Sequence, residues 1–160
     1  AERCKAIRVH GTSSDKYNSE VIGLNGRLDS IQAAVLLEKL TIFDEELEMR
    51  NKVNDYYRKY LNNAQYIPEN YHSAHALFSV TLGSNQKREE MIHRLNENNI
   101  PVVVYYKYPI HLMKGFAYLG YKKGNFLISE QLSNTIVSLP MHPYLNHDDI
   151  DIIIEILRDK

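Results

Sequence analysis

The 160 residues predict an α/β chain: a long helix, then a small domain with a short sheet and flanking helices. Three observations carry this expectation. A glycine-broken polar loop at Gly23 opens into a strongly apolar helical stretch; short runs rich in β-branched and aromatic residues follow; and amphipathic helical periodicity lies between and after those runs. A chain that is 44% hydrophobic and 24% charged, with a net charge of -1, fits one globular domain or a large piece of one.

The opening, "AERCKAIRVHG", reads as the end of an amphipathic helix, and with no Met at the start the chain is expected to be part of a longer protein. After the Gly23 loop, Asp29 is placed to cap a helix with Gln32 at its N3 position, a variant of the capping box, so the helix is expected to start near Ser30. From Ile31 to Leu37 it is apolar nearly all round, which implies burial on several sides; beyond Leu40 the apolar set narrows to Phe43, Leu47, Val53, Tyr57 and Leu61. Unbroken to Leu61 it would be roughly 45 to 50 Å long. Such a helix bridges two domains, unless a break lies near Asp44. A strand is expected over Ala74 to Leu82, ending at the Gly83-Ser84-Asn85 turn, then a helix from Gln86 to Asn98 and a second strand from Ile100 to Tyr106. The Tyr-, Pro- and Gly-rich stretch from Lys107 to Gly124 reads as a loop with at most one short helix around Leu112 to Tyr118. A helix from Ile128 to Thr135, a short strand closed by Pro140, and a last helix capped by Asn146 complete the chain. That last helix carries Asp148 and Asp149 in its first turn and Ile150, Ile153, Ile154 and Leu157 on one face.

Composition excludes several classes. No apolar run approaches the roughly 18 residues of a membrane span, and no secretory leader opens the chain, so the reading is soluble and cytoplasmic. The single Cys4 has neither a disulfide partner nor a second cysteine at metal-ligand spacing. Nineteen Lys and Arg against 20 Asp and Glu leave no basic footprint for nucleic acid. The seven histidines lack metal-ligand spacing: His10 and His142 read as loop and structural residues, and no metal site is expected.

Two clusters can carry chemistry. Asn25 and Arg27 precede the cap of the apolar helix, where free N–H groups and the helix dipole favour an anion; Asn donates a hydrogen bond and Arg adds a fork for carboxylate or phosphate. The competing reading makes Asn25-Gly26 a plain turn and pairs Arg27 with Asp29. In "VVVYYKYPIHLM", a strand feeds Tyr105, Tyr106, Tyr108 and His111 within a few residues, a placement suited to a polar ring-shaped ligand. Alternatively the tyrosines pack on the core and His111 caps a turn. There is no glycine-rich phosphate loop and no nucleophile elbow, and the carboxylate pairs Glu45-Glu46 and Asp148-Asp149 read as solvated or dipole-paired.

Five stretches, "VHGTSSDKY", "GLNGRLDSIQAAVLLEKL", "NIPVVVYYKYPIHL", "AYLGYKKGNF" and "SLPMHPYL", together resemble the pyridoxal-phosphate-dependent sugar-nucleotide aminotransferases of the DegT/StrS type, in the family's order and across nearly the whole chain. The resemblance implies the C-terminal portion of an aspartate-aminotransferase-type (fold type I) enzyme: residues 1–45 as the tail of the large cofactor domain with a cross-subunit loop, and 46–160 as the small C-terminal domain. It implies pyridoxal 5'-phosphate as cofactor and a homodimer with shared active sites. Asn25 would touch the cofactor phosphate, while Arg27, Tyr106 and His111 would serve the substrate. Tyr105 stands where many members have His, and its substrate-side role is an extension of the pattern. The substrates implied are an amino-acid donor, glutamate by expectation, and a nucleotide-linked keto-sugar, most closely a UDP-linked 3-keto sugar for surface glycan synthesis.

One departure is an absence. The family's cofactor-holding lysine lies in a Ser-Phe-His-x-x-Lys context that occurs nowhere here, and Lys107, Lys114, Lys122 and Lys123 have other surroundings. These 160 residues alone are therefore expected to hold no catalytic residue and to be inert. The rival readings are a non-catalytic binding or dimerisation module, and a relative turned regulator or sugar dehydratase.

Overall fold

The computed structural model describes residues 1–158 and divides into two compact units, Ala1–Asp44 and Glu45–Lys160. The first holds α1 (Glu2–Arg8) and α2 (Ser30–Thr41). Asp29 caps α2 as expected: its carboxylate accepts the Gln32 N–H at 2.8 Å, and the Gln32 side chain accepts the Asp29 N–H at 3.4 Å. The helix stops at Ile42 and α3 (Phe43–Arg58) begins at once, so of the two readings, one helix unbroken to Leu61 or a break near Asp44, the second holds.

In the second unit, β1 (Phe78–Thr81) pairs antiparallel with β2 (Ile136–Leu139), with Phe78 opposite Leu139 and Val80 opposite Val137. Isolated bridges extend this ribbon on both sides, Ala64 to Val80 and Val103 to Ser138. Phe78 and Val80 are buried, while Ser79 and Thr81 are half-buried, the alternation that one covered face requires. That face meets Tyr57 of α3, Leu95 of α4 (Asn85–Glu97), and Ile150, Ile153 and Ile154 of α6 (His147–Arg158). Tyr57 stacks on Phe78 at 4.6 Å and donates its hydroxyl to the Pro140 carbonyl at 3.1 Å, so its one polar atom is satisfied inside the core. Each such large side chain contributes about 1.5 to 3 kcal/mol on burial. α5 (Leu127–Thr135) leads directly into β2, and the Asn146 side chain caps α6 by accepting the Asp149 N–H at 2.8 Å.

Four expectations need correction. The first strand is four residues long, because His75 adopts a left-handed φ of 44° and ends extended pairing upstream of Phe78. Ile100 to Tyr106 makes no strand: only Val103 pairs, exchanging hydrogen bonds with Ser138 at 3.2 and 2.9 Å, and Pro101 has no N–H to offer. The stretch after it contains two 3₁₀ segments, Ile110–Leu112 and Lys114–Leu119, rather than at most one helix. Lastly, the apolar start of α2 is open, with Ile31 79% and Leu37 65% exposed and no residue of the helix buried.

Candidate functional site

The Gly23 loop is held by backbone. Leu24 N–H donates to Ile7 O and Gly26 N–H to Arg8 O, both at 2.8 Å, and His10 N–H donates to Leu24 O at 3.0 Å, so the loop lies along the end of α1. Gly23 crosses Gly11 with no space between them; a Cβ on Gly23 would sit 2.1 Å from the Gly11 nitrogen. His10, at φ 60°, belongs to the same crossing, which agrees with its reading as a loop histidine.

This crossing sets Asn25 and Arg27 on an exposed rim ahead of α2. Arg27 Nε donates to Asn25 Oδ1 at 3.3 Å, while the Asp29 carboxylate is engaged at the helix cap; the guanidinium pairs with its amide neighbour and not with the acid. Asn25 Nδ2 and the Arg27 Nη groups keep their donors without partners among the described residues. An amide N–H, a guanidinium fork and a nearby helix start fit phosphate or carboxylate oxygens, and in that respect this chain suits the phosphate of the implied cofactor.

The second cluster belongs to the other unit. Tyr105 and Tyr106 are 56% and 62% exposed, and Tyr108 is exposed beside them, which removes the reading of these rings as core. Tyr105 lines a groove of about 490 Å³ whose apolar wall includes Pro101, Val103 and Ile152 and whose polar groups include Asn98, His142 and Asp149. His111 is unlike the tyrosines. Its side chain is 8% exposed and its Nε2 lies 3.1 Å from Glu130 Oε1, so one ring nitrogen is committed inside the unit. Spacing gave no sign of Glu130, 19 residues away on α5; the only hint is an acid in the first turn of a helix, where dipole pairing explains it equally well. Among the described residues no cluster of three or more His, Cys, Asp or Glu can hold a metal ion, and no helix is long and apolar enough to cross a membrane.

Comparison with known proteins gives the family and the fold. The profile of the DegT/DnrJ/EryC1/StrS aminotransferase family matches residues 1–158. A dTDP-3-amino-3,4,6-trideoxy-alpha-D-glucose transaminase from Micromonospora megalomicea subsp. nigra is 33% identical, over 99% of this chain and 44% of its own length. A UDP-2-acetamido-2-deoxy-3-oxo-D-glucuronate aminotransferase from Pseudomonas aeruginosa is 32% identical, over 96% of this chain and 42% of its own. The crystal structure of a DegT DnrJ EryC1 StrS aminotransferase from Brucella abortus superposes with a TM-score of 0.81 at 38% identity, over 98% of this chain and 42% of that one. The chain thus spans about two fifths of the length of the relatives it matches, and its fold is that of the C-terminal part of fold type I sugar aminotransferases.

Proposed function

The chain belongs to the DegT/DnrJ/EryC1/StrS aminotransferase family, and from that premise we propose that its whole protein transfers an amino group from an amino acid, with glutamate as donor, to a nucleotide-linked keto-sugar. Bound pyridoxal 5'-phosphate would supply the electron-withdrawing ring that stabilises negative charge on the carbon losing a proton. Asn25 would donate its amide N–H to the cofactor phosphate. Arg27 would pair its fork with an anionic group of the substrate, and Tyr105, Tyr106 and His111 would orient the sugar nucleotide. The observation that carries this reading is the Arg27–Asn25 pair, held by the Gly11–Gly23 crossing with its remaining donors turned outward.

The exposed apolar side chains of α2, Ile31, Val35, Leu36, Leu37 and Leu40, support a homodimer, since a contiguous apolar surface of this kind marks an interaction site. With a second copy on α2, the donors at its start would serve the other subunit's site. Residues 1–45 would then be the end of the cofactor domain and 46–160 the small domain. The proton-transferring lysine would lie outside these residues, leaving them inert alone.

The preferred acceptor is a UDP-linked 3-keto sugar bearing a carboxylate, for surface glycan synthesis, because a guanidinium fork matches a carboxylate in two-point geometry. The test is Arg27→Lys in the complete enzyme. KM should rise about tenfold or more for a UDP-linked 3-keto uronate and much less for a neutral dTDP-linked 3-keto sugar. Equal effects on both would remove the carboxylate assignment.

A further inference from the structure

Glu130 has a side chain only 12% exposed, an uncommon place for a carboxylate. Two donors converge on its Oε1, the Gly124 N–H at 2.7 Å and His111 Nε2 at 3.1 Å. Gly124 stands at φ +94°, a conformation suited to glycine, within a turn closed by Lys122 N–H donating to Asn125 Oδ1 at 2.7 Å. Phe126 packs edge-on against both His111 (4.8 Å) and Tyr121 (5.0 Å). One carboxylate thus ties together α5, the turn at residues 122–125 and the 3₁₀ segment that carries His111. Desolvation opposes its ionisation, but hydrogen bonds from Gly124, His111 and Phe126 outweigh that and hold the carboxyl below its ordinary pKa, so it is ionised at neutral pH.

An ionised carboxylate only accepts hydrogen bonds, so the nitrogen facing it carries the proton. In the neutral ring the lone pair then belongs to Nδ1, which has no partner among the described residues and is not sealed from solvent. We infer that Glu130 is a positioning residue: it fixes His111 in the Nε2–H tautomer and presents Nδ1 as an acceptor for a hydroxyl of the sugar substrate. The ligand class rests on the substrate-side role given to His111 above; the tautomer does not.

The experiment uses the full-length holoenzyme with ¹⁵N-labelled histidine at alkaline pH. The His111 signals should show a protonated Nε2 and a bare Nδ1. Glu130→Leu should mix the tautomers and raise KM for the sugar nucleotide roughly tenfold, with kcat within about threefold. Glu130→Gln keeps an acceptor in the same place and should restore both the tautomer and most of the affinity. A protonated Nδ1 in the wild type, or an unchanged pattern in the leucine variant, overturns the assignment. Should the leucine variant not fold, the wild-type spectrum still decides. A holoenzyme with the stated tautomer but no turnover of any nucleotide-linked keto-sugar would leave Glu130 in its role and sink the ligand class together with the functional reading.

Discussion

Gly23 and Gly11 decide more about the candidate anion site than Asn25 and Arg27 do themselves. A methyl on Gly23 would meet the Gly11 nitrogen at 2.1 Å and the His10 carbonyl carbon at 2.4 Å, both rigid backbone, so the loop must move to accept it. Gly23→Ala should lower stability by about 2 kcal/mol or more and weaken cofactor retention in the complete protein, read by melting temperature and by phosphate-competition binding. Gly115→Ala is the control: its Cβ meets nothing within 4 Å, and it should leave both readouts nearly unchanged. A Gly23→Ala protein that bound cofactor normally would mean that the crossing does not place the donors. The sequence announces Gly23 as a loop residue, but nothing in it says that Gly11 lies underneath, because close backbone approach is a property of two distant segments. The same holds for Glu130 and His111, whose pairing depends on how the chain turns at Gly124.

Elements were legible where their signal is local. The caps at Asp29 and Asn146 use side chains bonded three residues on, so their spacing is written in the sequence. Asp29→Ala should cost about 1 kcal/mol in chemical denaturation, and Asp29→Ser should recover most of it; no loss on Asp29→Ala would mean that α2 is held by packing rather than by its cap. Ile100 to Tyr106 was illegible for the opposite reason. Its Val-rich composition suits a strand, but pairing depends on the neighbour, and only Val103 finds one. The face from Ile31 to Leu37 carries the second such lesson. Periodicity reports that a surface is apolar and needs covering, and it does not report that the cover lies within these residues.

Two groups of the second unit make the whole molecule sensitive to acid. Burial, reinforced by Arg58 and opposed by Asp55, pushes the His75 imidazole below its ordinary 6.5. Glu130 likewise lies below its ordinary 4.5. For both, the unfolded chain takes up a proton before the folded one does, so the stability they contribute is full above the ordinary value and is lost as pH falls through the folded value. Urea midpoints should therefore begin to fall near pH 6.5 and fall again below 4.5. His75→Gln should remove the first step and keep the second; an unaltered first step would assign it to another group. Burial raises the Tyr57 hydroxyl, with Asp149 adding to it, so this residue's contribution persists below its ordinary 10.0 and declines only at higher pH.

The central claim is that Asn25 and Arg27 complete a site on a second subunit, and mixed dimers of the full-length protein test it. One subunit carries Arg27→Ala, and the other lacks the cofactor-holding lysine; with the UDP-linked uronate at low concentration, each homodimer should be nearly inactive. Mixed in equal amounts, half of the dimers pair one with the other, and each such dimer has one site with both parts intact, so about a quarter of wild-type activity should return. Activity no greater than the sum of the two parents would show that the arginine serves its own subunit's site and would contradict the account.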